Sequence, residues 1–122
     1  MVLVVDDFED TARAVARLLK IGGMEASIAT DGQSALNFLR ANKVSTMLLD
    51  YMMPGMSGLD VLAAIKSDPA LSPTRVIIYS ASEEQDAVSE ARRLGAVAWL
   101  TKGKYSWPQI LEVIKSADQP PA

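Results

Sequence analysis

Two rhythms of apolar residues alternate along this chain. Short unbroken runs such as Val2–Val5, Met47–Leu49 and Val76–Ile78 are separated by stretches in which apolar side chains recur at three and four positions. Branched runs without polar alternation predict strands covered on both faces, and the three-four spacing predicts amphipathic helices. The first strand is Val2–Val5. A helix follows from Phe8, with Ala12, Val15, Leu18 and Leu19 on its inner face and Gly22-Gly23 closing it. Between Met24 and Thr30 a weaker strand alternates, with Glu25 and Ser27 out of phase with Met24, Ala26 and Ile28, which suits a sheet edge. Asp31-Gly32 is a turn signal, and Ala35, Leu36 and Leu39 mark a second helix ending near Asn42.

The third strand stops on Asp50. A loop containing Pro54-Gly55 and Gly58 leads into a helix carrying Leu59, Leu62 and Ile65. After a loop at Asp68-Pro69 and Ser72-Pro73 comes a strand from Arg75 to Tyr79, ending at Ser80. Glu83 to Leu94 predicts a polar helix stopped by Gly95, with Glu83, Glu84 and Asp86 as first-turn acids. Ala96 to Leu100 predicts the last strand, ending near Lys102. Ser106 can cap a final helix that turns Ile110, Val113 and Ile114 inward. A strand followed by a helix, repeated five times, predicts an α/β fold with one parallel sheet, right-handed crossovers and helices on both faces. The expected organisation is one domain over residues 1–117 and a short tail over 118–122.

Composition narrows the chemistry. With 122 residues and 49% hydrophobic residues the chain can bury a core, while no apolar run approaches the ~20 residues of a membrane span. The start lacks a basic segment and a small-residue cleavage site, so a cytoplasmic location is the simplest expectation. There is no Cys and no His, which excludes thiolate chemistry, disulfides and imidazole bases or ligands. Carboxylate sites for hard cations remain. A net charge of −3 argues against bulk binding to nucleic acid.

The residues at the carboxyl ends of the predicted strands are Asp6 and Asp7, Asp50, Ser80 and Lys102. In a parallel sheet these ends emerge on one edge, where open α/β sheets bind their ligands. Crowded carboxylates repel unless a cation neutralises them, and oxygen-only ligands favour Mg²⁺. A carboxylate can attack a phosphoryl group to give an acyl phosphate, a transfer that needs positioning and charge neutralisation more than a general base. No phosphate-binding glycine loop of the G-x-x-x-x-G-K-[ST] kind is present, so the donor should come from another molecule.

Four segments carry a resemblance over essentially the whole chain: Val4-Val5-Asp6-Asp7, Leu49-Asp50-Tyr51-Met52-Met53-Pro54-Gly55-Met56-Ser57-Gly58, Ser80-Ala81 and Leu100-Thr101-Lys102. Together they resemble the response-regulator receiver domain of two-component, or phosphorelay, signalling. The resemblance implies a flavodoxin-like fold with strand order 2-1-3-4-5 and a phosphoacceptor role for Asp50. It implies Mg²⁺, with Mn²⁺ able to substitute, held by Asp7, Asp50 and the backbone carbonyl of Met52, with Asp6 helping through water. Ser80 would hydrogen-bond a phosphoryl oxygen, Lys102 would pair with it, and Trp99 would stand at the position of a switch aromatic. The implied donor is a sensor histidine kinase or a histidine phosphotransfer protein. The implied reader is a downstream protein or an output domain outside this sequence, engaging a face within about residues 83–117. Such a domain signals and is not an enzyme beyond assisting its own phosphotransfer and dephosphorylation. Direct nucleic-acid contact and membrane insertion are not implied.

Three features depart from the family pattern. Gly103 follows the lysine where a proline, in a cis peptide, is usual; Trp99 is bulkier than the usual Tyr or Phe; and Met52 and Ser82 occupy positions that tune phosphoryl lifetime. Two other readings stand beside this one. A pseudo-receiver would keep the fold as an interaction module without phosphorylation. A small haloacid-dehalogenase-like phosphatase would use the same nucleophile, although Asp50-Tyr51-Met52 lacks the second acid of D-x-D. The acid pair Asp6-Asp7 also suits a simple cap of the first helix.

Overall fold

A computed structural model describes residues 1–118. In chain order it contains β1 (Val2–Val5), α1 (Glu9–Ile21), β2 (Ala26–Ala29), α2 (Gly32–Ala41), β3 (Thr46–Leu49), α3 (Gly58–Ser67), β4 (Arg75–Ser80), α4 (Gln85–Arg93), β5 (Ala98–Thr101) and α5 (Trp107–Asp118). The five strands form one sheet in the order β2-β1-β3-β4-β5, every neighbouring pair parallel. This is the doubly wound, flavodoxin-like arrangement expected.

The strands without alternation are the buried ones. Every residue of β1 and β3 is buried, because helices cover both faces there. One core layer joins Leu3, Val5, Met47, Leu49, Val76 and Ile78 to Leu36, Leu39, Leu62 and Ile65 of α2 and α3. The other joins Val2, Val4, Leu48 and Ile77 to Val15, Leu19, Ile110 and Ile114 of α1 and α5. The weaker alternating segment became β2, an edge strand with β1 as its one neighbour. Met47 and Met53 are buried and Met52 is exposed, so the methionines divide between core and loop.

Local chemistry explains the ends of the helices. Residues closing α1 form paired reverse bonds, Gly23 N to Lys20 O at 3.0 Å and Met24 N to Leu19 O at 2.9 Å. That geometry needs the positive φ of +88° that Gly23 takes at no steric cost. Ser57 and Asp60 cap α3 reciprocally, and Ser106 and Gln109 do the same before α5. At Gly58 the constraint is space. A Cβ there would lie 2.3 Å from the Asp50 carbonyl oxygen, and Gly58 N already donates to Tyr51 O at 2.9 Å.

Several boundaries move. Phe8 precedes α1 as its N-cap residue without a side-chain cap, and Leu18, expected on the inner face, is 39% exposed. The polar helix begins at Gln85, so Glu83 lies in the loop before it. There it accepts hydrogen bonds from Thr101 Oγ1 at 2.9 Å and Lys104 Nζ at 3.2 Å, a tertiary pairing that outcompetes a first-turn position. The last helix runs to Asp118, whose carboxylate accepts from the Ser45 and Thr46 hydroxyls at the start of β3. Residues 119–122 of the expected tail lie outside the described residues. Lys66 reaches from α3 to the carbonyls of Ser72 and Thr74, at 3.0 Å each, and satisfies backbone acceptors of the α3–β4 loop. Among the described residues no helix is long and apolar enough to cross a membrane.

Candidate functional site

The site grows out of the ladder. Asp6 N donates to Ala29 O at 3.1 Å and Asp50 N to Val5 O at 2.9 Å, so each acid is held one residue past its strand by the neighbouring strand. Strands β1 and β3 are adjacent, and the connections from them leave in opposite directions, which makes this the switch point of the sheet. Lys102 N donates to Ser80 O at 2.7 Å and brings the end of β5 to the end of β4.

Carboxylate oxygens of Asp6, Asp7 and Asp50 lie within 4.8 Å of one another. Asp6 and Asp50 are 4% and 7% exposed, so their mutual repulsion is weakly screened. Lys102 answers part of that charge, with its Nζ 2.8 Å from Asp6 Oδ2 and 3.6 Å from Asp50 Oδ2. The ammonium also lies 5.5 Å from the centroid of the Tyr79 ring. Burial pushes the Asp50 carboxyl up, and the charge on Asp6 adds to that. Lys102, the Met52 amide and the Ser80 hydroxyl only partly oppose it, and the carboxyl stays above its ordinary range. For Lys102, burial alone would lower the ammonium pKa, but the bond to Asp6 and the charge on Asp50 outweigh burial and raise it.

Other polar groups complete the surroundings. Asp6 Oδ1 accepts from Phe8 N at 3.0 Å, so this acid also pins the turn into α1. Met52 N donates to Asp50 Oδ1 at 3.3 Å. Ser80 is fully buried, and its Oγ accepts from Ser82 N at 3.3 Å. Asp7 Oδ1 is buried with no hydrogen-bond partner. A buried carboxylate oxygen without a donor is costly and points to a cation. Three carboxylates against one ammonium leave a formal charge of minus two, which a divalent ion balances. Oxygen donors alone suit Mg²⁺ or Mn²⁺. The residues therefore fit the metal that the sequence led us to expect.

All the strand-end residues singled out from the sequence converge here, and Trp99 lies beside them. Its Nε1 donates to Ser82 O at 3.0 Å, and its ring stands 5.5 Å from that of Tyr51, tilted by 52°. Trp99 thus touches both the loop after Ser80 and the residue after Asp50. The roles of Tyr51, Tyr79 and Glu83 carried no signal in the sequence, because each depends on a neighbour from a distant strand. Among the described residues there is no cis peptide bond, and Gly103 takes φ +81°.

Comparison with known proteins agrees with this geometry. Residues 2–115 match the model of the response regulator receiver domain. The chemotaxis protein CheY of Pseudomonas aeruginosa is 32% identical over 102 residues, which cover 83% of this chain and 82% of that protein. The probable transcriptional regulatory protein NarL of Mycobacterium tuberculosis is 39% identical over 103 residues, 83% of this chain and 47% of that protein. This chain therefore spans about half of that relative's length. The solved signal receiver domain of the same NarL superposes with a TM-score of 0.84 at 35% identity, covering 96% of this chain and 94% of that one. The Mn²⁺-bound form of response regulator Rcp1 has a TM-score of 0.81 at 26% identity, covering 99% and 98%. A family match over nearly the full length, coinciding with an acidic switch-point site and a strand-end lysine, means that this chain belongs to the response regulator receiver-domain family.

Proposed function

We propose that this receiver domain, carried by residues 1–117, accepts a phosphoryl group on Asp50 from a phosphohistidine of a sensor histidine kinase or histidine phosphotransfer protein. The observation that carries the proposal is the set of three carboxylates within 4.8 Å, one of them with a buried, partnerless oxygen, under a single lysine. Asp7, Asp50 and the backbone carbonyl of Met52 would hold Mg²⁺ or Mn²⁺, with Asp6 acting through water. A Mn²⁺-bound relative supports this assignment. The ion, when bound, supplies charge neutralisation for the incoming phosphoryl oxygens.

Transfer forms a bond from an Asp50 carboxylate oxygen to phosphorus while the bond from phosphorus to the donor's imidazole nitrogen breaks, and the electron pair stays on that nitrogen. Lys102 already lies 3.6 Å from Asp50 and would meet the new negative charge, letting go of Asp6 in part. Ser80 would turn its hydroxyl from the Ser82 amide toward a phosphoryl oxygen. Because Trp99 holds the Ser82 carbonyl, that movement would reach β5 and the surface over residues 83–117. A downstream protein, or an output domain outside this sequence, would read the change, with the whole acting in the cytoplasm.

Acetyl phosphate with Mg²⁺ should add one phosphoryl group by intact-mass spectrometry, and Asp50→Asn should abolish the gain. An equal gain in the variant would reassign the acceptor. No gain in the wild type, together with no response to Mg²⁺, would favour the pseudo-receiver.

A further inference from the structure

The lysine of the site rests against an aromatic ring. We propose that Tyr79 is a positioning residue for Lys102, its ring face holding the ammonium within reach of both Asp6 and Asp50. The inference goes beyond the acceptor role of Asp50 and rests on it. Tyr79 precedes Ser80 on β4 and stands opposite Leu100 on β5. Both belong to the core layer shared with α1 and α5, where Tyr79 is half-buried. By the period of two, Lys102 extends the line of Leu100 along that same face. Its Nζ lies 5.5 Å from the centroid of the Tyr79 ring, inside the range at which a ring face attracts an ammonium.

The backbone gives Lys102 little guidance. Strand β5 ends at Thr101, and Lys102 opens a turn. Gly103 takes φ +81°, with no atom within 4 Å of the place a Cβ would occupy. A lysine on its flexible four-carbon stem follows the nearer charge. That charge is Asp6, at 2.8 Å, while Asp50 lies 3.6 Å away, beyond hydrogen-bond length. Attraction to a ring face acts on the ammonium as a whole and demands no single N–H direction. Tyr79 therefore resists withdrawal of the lysine into solvent, yet lets the ammonium turn. The lysine side chain is 24% exposed, so the ring acts in partly desolvated surroundings, where such attraction is stronger. When a phosphoryl group arrives on Asp50, Lys102 pivots on the ring as it leaves Asp6.

The test follows the rate of phosphoryl gain by the full chain from acetyl phosphate and Mg²⁺, read by intact-mass spectrometry. Tyr79→Leu keeps an apolar side chain without a ring face and should slow the gain about fivefold. Tyr79→Phe keeps the ring and should stay within about twofold of the wild type. Phenylalanine carrying one, two or three ring fluorines at position 79 should slow the gain stepwise. Each fluorine withdraws charge from the ring face with little change in size, so a residue that merely packs would give a flat series. In the metal-free, unphosphorylated protein the ring current should displace the Lys102 Hε signals upfield, and Tyr79→Leu should abolish the displacement. An unchanged rate in Tyr79→Leu, equal slowing by Leu and Phe, or a flat fluorine series would overturn the proposal. So would Lys102 signals that are alike in the wild type and Tyr79→Leu. Should Tyr79→Leu fail to fold, the fluorine series decides. Absence of any gain in the wild type would sink the acceptor role of Asp50 instead, and the Lys102 signals would then decide whether the ring holds the ammonium.

Discussion

Lys102 donates to Asp6, 96 residues earlier in the chain, across 2.8 Å, and lies closer to that acid than to the proposed acceptor. The lysine therefore stabilises the resting site before it has any phosphoryl group to meet. Replacing it by methionine leaves two nearly buried carboxylates facing each other. Because the lysine side chain is itself 24% exposed, the loss should stay near 1–3 kcal/mol, below that of a fully buried pair. Mg²⁺ should restore more stability to Lys102→Met than to the wild type. Chemical denaturation with and without the ion measures both effects, and an identical ionic increment in the two proteins would contradict this role for the lysine.

The Asp50 carboxyl is held above its ordinary pKa, chiefly by burial, so the folded state binds its proton more tightly than the unfolded state does. Stability from this group is greatest at low pH and falls as pH rises from the usual carboxylate value through the raised one. Substitution by asparagine removes that loss. Metal-free Asp50→Asn should match the wild type at acidic pH and exceed it at pH 7, which would appear as a higher Tm. Comparing the two proteins at each pH cancels the other carboxylates. A variant less stable than the wild type at neutral pH would count against the repulsion.

A methyl group at position 58 has nowhere to go. Its carbon would stand 2.3 Å from the Asp50 carbonyl and 2.8 Å from Tyr51 Cα, both backbone atoms that cannot swing aside. Gly58→Ala should cost about 1–3 kcal/mol despite the better helix propensity of alanine, and should shift the amide signals of Asp50 and Tyr51. A neutral or stabilising result would show that α3 can withdraw from the loop.

Trp99 and Trp107 provide an optical test of the proposed route from the site to the surface. Trp99 contacts Tyr51 and Ser82, whereas Trp107 opens α5 and packs against the other core layer. Titration with Mg²⁺ should change the fluorescence of the wild type and of Trp107→Phe, and leave Trp99→Phe nearly silent. Loss of the indole bond should itself cost about 1 kcal/mol. A response that disappears with Trp107 instead would place the coupling through α5.

Core packing predicts a clear contrast. Leu62 of α3 is fully buried against the sheet, while Ile21 is 74% exposed at the end of α1. Leu62→Ala should cost about 2–5 kcal/mol and Ile21→Ala only about 0.5 kcal/mol. Similar losses at both positions, measured in urea, would mean that Ile21 is covered in solution.

Much of this protein was determined by local sequence alone. Val2–Val5 and Met47–Leu49 became central strands because uninterrupted apolar residues need cover on both faces, and Gly22-Gly23 ended α1 because only a left-handed residue completes that closing turn. Alternation of strands and helices placed Asp6, Asp7, Asp50, Ser80 and Lys102 on one rim, since all parallel strands end on the same side. Tertiary structure alone decided which acid holds the lysine, why residue 58 must lack a side chain, and why Glu83 leaves its helix for Thr101 and Lys104. It also turned Leu18 outward. The division has a physical cause. Periodicity records which face of an element is buried, whereas distances between atoms far apart in the chain arise only when the elements pack, and charge, space and hydrogen-bond competition are settled at those distances.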